Sequence, residues 1–331
     1  MTAMGRQQAG GGADSVMHVA VGVIFNARGE VLVAQRAAHR HQGGRWEFPG
    51  GKVEPGESVQ AALARELREE LDLQVGRITP LIRIPWTYPD RRVLLDVWEV
   101  ESWQGRPRGR EGQTIAWQKP AALRADAFPA ANRAIIHAIR LPDQYLITGE
   151  FADMAELEGK LLDAFRRGVR LVQFRARHLD EAAYLEHARR VCELAHAHGA
   201  RCLLNDHPEL LVAAGADGVH LPACRLADFA TRPVAGDRLL AAATHDAGEI
   251  ARAAELGADF IVLSPVCSTP SHPDAPPLGW EKFAHLAAQA PMPVYALGGV
   301  GGSDVALARR HGAQGVAGIR SYWRNGRGSK K

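Results

Sequence analysis

Apolar positions fall in two different rhythms along the chain. Residues 16–25 (VMHVAVGVIF) are dense in β-branched side chains and predict a strand; 26–29 read as a turn into a second strand at 30–36, so the two predict a hairpin. Residues 46–49 lead into a glycine loop, a helix follows from about Glu57, and 78–88 and 92–101 predict two more strands joined through Pro89 and Asp90. Trp117 begins a loop, and 132–140 close this part as a helix. A mixed sheet flanked by helices is the expected α+β fold. Residues 1–15 carry no apolar period and predict a disordered tail, which leaves 16–141 as the first domain.

After Leu141, Pro142 and Asp143 the rhythm changes. Strand-length apolar runs lie at 145–148, 169–175, 201–205, 218–221, 239–244, 260–265, 294–298 and 315–319, and they alternate with helical stretches such as 181–198, 247–256 and 305–311. The sequences GADGVH, GADFIV and GAQGV read as glycine-ended helices entering the next strand. Eight strands alternating with helices predict a (β/α)8 TIM barrel, an α/β domain spanning 144–331. Little chain follows the eighth strand, so a last helix would be very short.

Composition narrows the function classes. At 46% hydrophobic and 23% charged residues, with a mean hydropathy of -0.18, the chain is that of a soluble globular protein. No apolar run reaches membrane-span length and no signal-peptide pattern opens the chain, so a cytoplasmic protein without a membrane partner is expected. A net charge of +3 is too small to argue for a nucleic-acid polymer, which leaves a free nucleotide as the more natural partner. Cys192, Cys202, Cys224 and Cys267 form no CxxC pair and predict reduced, mostly buried thiols. The scattered His39, His41, His196 and His198 carry no metal hypothesis.

The chemistry centres on GGKVEPGESVQAALARELREELDL, residues 50–73. A helical reading puts Glu66, Glu69 and Glu70 at i, i+3 and i+4, gathering three carboxylates on one face. Like charges repel there, and a hard divalent cation with oxygen ligands explains the cluster; Mg2+ is the natural candidate, with Mn2+ as a substitute. Gly50, Gly51 and Gly56 allow a close backbone approach, and Pro55 fixes the turn.

Gly51, Glu57, Arg65, Glu66, Leu67, Glu69 and Glu70 resemble the Nudix box of enzymes that hydrolyse nucleoside diphosphates linked to another group. One position departs, Asp72 where a glycine is expected, and Asp can take the left-handed conformation that ends a helix. VGVIFN, QRAAH, WEFPGGK, Pro89-Asp90-Arg91, GREGQ and FPAAN further resemble MutT-type Nudix hydrolases, in the same order. The resemblance implies Mg2+-dependent hydrolysis of 8-oxo-dGTP to 8-oxo-dGMP and pyrophosphate, which removes an oxidised base from the nucleotide pool. It implies that Glu66, Glu69, Glu70 and Glu111 hold the metal with the carbonyl of Gly50 or Gly51 nearby, and that Arg65 orients a box carboxylate with Glu57 as partner. Arg36 and Arg91 would contact phosphate or sugar, each with a plain surface reading beside it. Asn132 and Phe48 would read the base; Asn132 also suits a helix N-cap, and Phe48 a core position.

YLIT, VQFRAR, LLND, GADGVHL, ATH, LSPVCST and ALGGV resemble thiamine phosphate synthase and the thiazole tautomerase TenI. The resemblance places Gln173, Arg175, Arg177, Asn205, Asp206, Thr244, His245, Gly298 and Gly299 at strand C-termini, and Gly298, Gly299 and Ser321 in a phosphate cradle, for a phosphate- or thiazole-type ligand. Arg225 stands near the position of a metal-holding aspartate, and Ser271 and His272 stand where the synthases carry a lysine. A barrel without its divalent ion is therefore expected, degenerate as a synthase. The alternatives are a bifunctional thiamine-pathway enzyme, or a barrel that serves as a ligand sensor or scaffold.

Overall fold

The computed structural model describes residues 16–36, 43–269 and 276–323. The expected tail at 1–15, and His39, His41, Ser271 and His272, lie outside the described residues. The first part is built from β1 (Val16–Ile24), β2 (Val31–Gln35), β3 (Trp46–Glu47), β4 (Gly50–Lys52), α1 (Val59–Leu71), β5 (Gln74–Val75), β6 (Ile78–Tyr88), β7 (Arg91–Val100), β8 (Trp103–Gln104), β9 (Ile115–Gln118) and α2 (Asn132–Arg140). A four-stranded mixed sheet runs β4-β1-β7-β6, with β1 parallel to β7; β3-β2-β9 form a second sheet and β5-β8 a small third one.

The expected hairpin ladder of the first two strands does not form: β1 and β2 belong to different sheets, and beyond the turn closed by the Asn26 amide donating to the Glu30 carbonyl they are paired among the described residues by the isolated Phe25–Val31 bridge alone. Successive residues of β1 enter opposite cores, Ala20 and Ile24 facing α1 while Val21 and Val23 face α2. A strand buried on both faces takes an interior position, here between β4 and β7. Trp117 pairs with Leu32 inside β9 and does not begin a loop.

Helix α1 also starts later than Glu57. Ser58 is its N-cap, its hydroxyl accepting from the Ala61 amide, which leaves Glu57 outside the helix. At the other end Asp72 adopts φ 62°, the left-handed cap expected of it. Ala62, Leu63, Leu67 and Leu71 are fully buried against the sheet, each leucine contributing about 2 kcal/mol of apolar burial, so the opposite flanks are left for chemistry.

The second part is a closed parallel barrel of β10 (Gln144–Ile147), β11 (Leu171–Phe174), β12 (Arg201–Asn205), β13 (Gly218–Leu221), β14 (Leu239–Thr244), β15 (Phe260–Leu263), β16 (Val294–Ala296) and β17 (Gly315–Gly318). Alternation sorts its residues. Tyr145, Phe260, Val262 and Tyr295 fill the interior, while Leu146, Ile261 and Leu263 pack outward against helices. All four cysteines are free, but Cys224 is exposed and Cys267 half-buried, so only Cys192 and Cys202 meet the expectation of burial.

Two histidines, His220 buried and His137 half-buried, are expected to make the fold acid-sensitive. His220 shares a 3.2 Å hydrogen bond with the Tyr145 hydroxyl, and burial, with the charge of Arg175, lowers its pKa from 6.5 to about 3. Burial lowers His137 in the same sense, to about 4. Both native pKa values lie below the unfolded value, so the unfolded chain binds more protons between them. Stability is full above about pH 6.5 and falls with pH from there, by up to about 1.4 kcal/mol per pH unit for each histidine. The urea midpoint is expected to drop between pH 7 and pH 5, and His220→Gln to flatten that drop. An unchanged slope in the variant would rule the histidine out as a cause.

Candidate active site

The glycine loop sets how closely α1 approaches the sheet. Gly50 has φ +148°, and a β-carbon there would overlap the Ala20 carbonyl oxygen. At Gly51 a β-carbon would overlap the carboxyl group of Glu66 instead, so this carboxylate lies against bare backbone. Arg65 fixes it from the other side. Its Nη1 donates to Glu66 Oε1 at 2.7 Å, Nε and Nη2 donate to the two oxygens of Glu57 at 3.1 and 3.0 Å, and Nη2 also donates to the Lys52 carbonyl. Those hydrogen bonds hold Glu57 below the usual carboxylate range.

A cavity of about 560 Å3 opens beside this assembly, lined among others by Arg36, Phe48, Gly50, Gly51, Glu66, Glu70, Arg91, Glu111 and Asn132. Glu111 is brought in from far along the chain because its loop finishes α1. The Arg110 amide and Gln113 Nε2 both donate to the Glu70 carbonyl, at 2.9 and 3.1 Å, and the Arg108 amide donates to that of Leu71.

Glu69 stands apart. It is about 100° around the helix from Glu70, its side chain is 62% exposed, and it lies 3.6 Å from Arg65 outside this cavity. Among the described residues no three His, Cys, Asp or Glu side chains converge closely enough to hold an ion in this arrangement. The carboxylates that line the cavity, Glu66, Glu70 and Glu111, nonetheless offer oxygen donors only, and the bare backbone at Gly51 lets that of Glu66 pack directly against the loop, which suits a hard divalent cation.

The far end of the cavity suits a base. Phe48 is buried at 3% exposure, its ring centroid 5.6 Å from that of Phe128. The N-cap of α2 is Ala131, so Asn132 does not cap; it is 9% exposed, its backbone N–H donates to the Pro129 carbonyl, and its side-chain amide makes no hydrogen bond among the described residues. Arg36 is ion-paired with Glu47, and Arg91 donates to its neighbour Asp90 at 2.9 and 2.6 Å. The floor was not anticipated from sequence: Met17, Val19 and Val21 of β1 alternate with Val93 and Leu95 of β7, Met17 opposite Val93 and Val19 opposite Leu95. Strand periodicity carries that signal. Lys52, Glu54 and Tyr88, which also line the cavity, had no such signal.

In the barrel the expected positions separate. Gln173 and Thr244 are buried in the wall, Gln173 donating to the Tyr145 hydroxyl and Thr244 to the Val262 carbonyl. Arg175 is half-buried, and burial lowers its pKa. Arg177, Asn205 and Asp206 line one cavity of about 370 Å3; His245, Gly298, Gly299 and Ser321 line another of about 460 Å3. In the second cavity Gly298 and Gly299 take φ +100° and +67°, the Ser321 hydroxyl is buried without a partner among the described residues, and His245 Nδ1 lies 2.9 Å from Glu249. In the first, Arg225 donates to Asp206 at 2.8 Å and also pairs with Asp228. His196 pairs with Asp217, and His198 stacks on Phe165. No helix among the described residues is long and apolar enough to cross a membrane.

Comparison with known proteins follows the same division. The NUDIX domain model matches residues 20–138, and the thiamine monophosphate synthase model matches 144–322, more than half of the chain. The first part is 39% identical over 124 residues to the 8-oxo-dGTP diphosphatase of Escherichia coli, covering 38% of this chain and 96% of that protein. The second is 33% identical over 178 residues to the thiamine-phosphate synthase of Thermosynechococcus vestitus, covering 54% of this chain and half of that protein's length, 50%. A solved MutT structure, from work on the proteins of Aliivibrio salmonicida and Vibrio cholerae, is 36% identical, covering 38% of this chain and 97% of that one at a TM-score of 0.33. The chain therefore belongs to two families at once, the Nudix hydrolases through its first part and the thiamine monophosphate synthases through its second.

Proposed function

We propose that residues 16–141 hydrolyse 8-oxo-dGTP to 8-oxo-dGMP and pyrophosphate, with Mg2+ as cofactor. What carries this reading is one cavity that joins the carboxylates of Glu66, Glu70 and Glu111 to the side-chain amide of Asn132, which has no hydrogen-bond partner among the described residues. Glu66, Glu70, Glu111 and the Gly50 carbonyl would hold the ion, which when bound offsets phosphate charge and makes water easier to deprotonate. Arg65 keeps the Glu66 carboxylate oriented, and Glu70 takes the proton of the attacking water. Arg36 and Arg91 lie where the phosphates or sugar would pass. At the base end Phe48 supplies an apolar surface. The Asn132 amide offers both a donor and an acceptor to a purine edge that has gained a carbonyl and a ring N–H, and a base lacking them would leave those groups unpaired. Pyrophosphate release should strongly favour 8-oxo-dGTP over dGTP; equal turnover of the two would refute the assignment.

For the barrel, from residue 144 on, we propose binding of a small phosphate-bearing or thiazole-type ligand without a divalent ion. The Arg225 guanidinium already occupies the Asp206 carboxylate, which would otherwise be free to take a cation. Thiazole phosphate, thiamine phosphate or pyrophosphate at 100 times its Kd should add about 2.7 kcal/mol of stability, equally with Mg2+ or with EDTA. A rise in melting temperature that requires Mg2+ would overturn this, and no rise with any of the three would leave the barrel as a scaffold.

A further inference from the structure

Helix α2 begins with Asn132 in the hydrolase cavity and lies against the N-terminal end of the barrel. Two separate sets of contacts fix it there. On its flank, Arg133 Nη2 donates to Asp259 Oδ1 at 2.6 Å, and His137, one turn on, lies 3.2 Å from the same oxygen. Asp259 is 2% exposed at the foot of β15, and the barrel itself holds its other oxygen: Oδ2 accepts from Arg232 Nη2 at 2.6 Å and from the Leu240 amide at 2.8 Å. Rigidly held on one side, the carboxylate presents a fixed acceptor to α2 on the other.

The second set lies at the helix end. α2 closes without a left-handed glycine, so its last carbonyls need partners from elsewhere. The barrel supplies them. Gln314 Nε2, just before β17, donates to the carbonyls of Ala138 and Leu141 at 2.9 and 3.0 Å, and Arg201 Nη2, at the start of β12, donates to that of Arg140 at 2.8 Å. A nine-residue helix is marginal by itself. Its register here is therefore set by three strand starts of the other domain as well as by the hydrolase core.

We propose that Asp259, acting through Arg133, is a positioning residue for base discrimination, so that the barrel sets the selectivity of the hydrolase. This rests on Asn132 reading the base. Arg133 is the neighbour of Asn132 on the first turn, and a side chain that must meet a purine edge tolerates little displacement. Loss of the anchor should be felt at the base and not at the carboxylates, which are carried by α1 and the glycine loop.

The test uses the full chain and compares kcat and KM for 8-oxo-dGTP and dGTP in Arg133→Gln, Asp259→Asn, the double variant and Asn132→Ala. Each anchor variant should raise KM for 8-oxo-dGTP about tenfold, leave KM for dGTP and both kcat values within about twofold, and add little to the other in the double variant. If Asp259→Asn fails to fold, Arg133→Gln still answers. Equal losses for the two nucleotides, or an unchanged preference in soluble Arg133→Gln, would overturn the proposal. Asn132→Ala separates the two levels: if it leaves the preference intact, the base-reading assignment itself fails, whereas lost preference there with intact preference in the anchor variants removes only the role of Asp259.

Discussion

Glu70→Gln in the full chain is expected to lower kcat for pyrophosphate release from 8-oxo-dGTP by about 1,000-fold with the melting temperature changed by no more than about 2 °C. Glutamine keeps the shape and removes the charge. The Glu70 carbonyl, which the substitution leaves unchanged, accepts from the Arg110 amide and from Gln113, so the loop bearing Glu111 stays in place. Glu69→Gln is the control, because its side chain is 62% exposed and outside the cavity; a loss of about tenfold or less is expected there. If Glu70→Gln retained more than about a tenth of the activity, or if Glu69→Gln were the more damaging change, the cavity carboxylates would not be the reacting set.

The second large effect separates two adjacent glycines. Gly51→Ala should cost at least about 100-fold in kcat with little loss of stability, since the added methyl meets the end of a flexible side chain and pushes the Glu66 carboxylate out of its place. Gly50→Ala should instead destabilise the fold by about 2–4 kcal/mol: φ +148° is closed to alanine, and the methyl would meet the backbone of β1, which cannot retreat. Urea midpoints and kcat measured on both variants decide it. The reverse pattern, an unfolded Gly51→Ala beside a stable Gly50→Ala, would contradict the packing described.

Much of this was legible because it is local. A helix carrying the box carboxylates and its left-handed end at Asp72 follow from spacing and capping chemistry, though its start at Ser58 instead of Glu57 does not, and eight strands alternating with helices leave few architectures other than a closed barrel. The pairing of β1 was not legible. Its alternation fits either a hairpin with β2 or a parallel place beside β7, and the choice depends on which faces the two helices cover.

The same distinction runs through the sites. Residue type and interval were enough to nominate Glu66, Glu70, Glu111 and Asn132, since the chemistry needs oxygen ligands and an amide. Interval could not tell Glu69 from its neighbours, because the face a helix turns inward is set by what packs on it. Nor could it separate the expected barrel residues into two cavities and a buried wall. Least of all could sequence foresee Asp259, Gln314 and Arg201 reaching α2 across 61 to 176 positions of chain. Contacts at that separation leave no periodicity behind, so only the packing of one domain on the other brings them together.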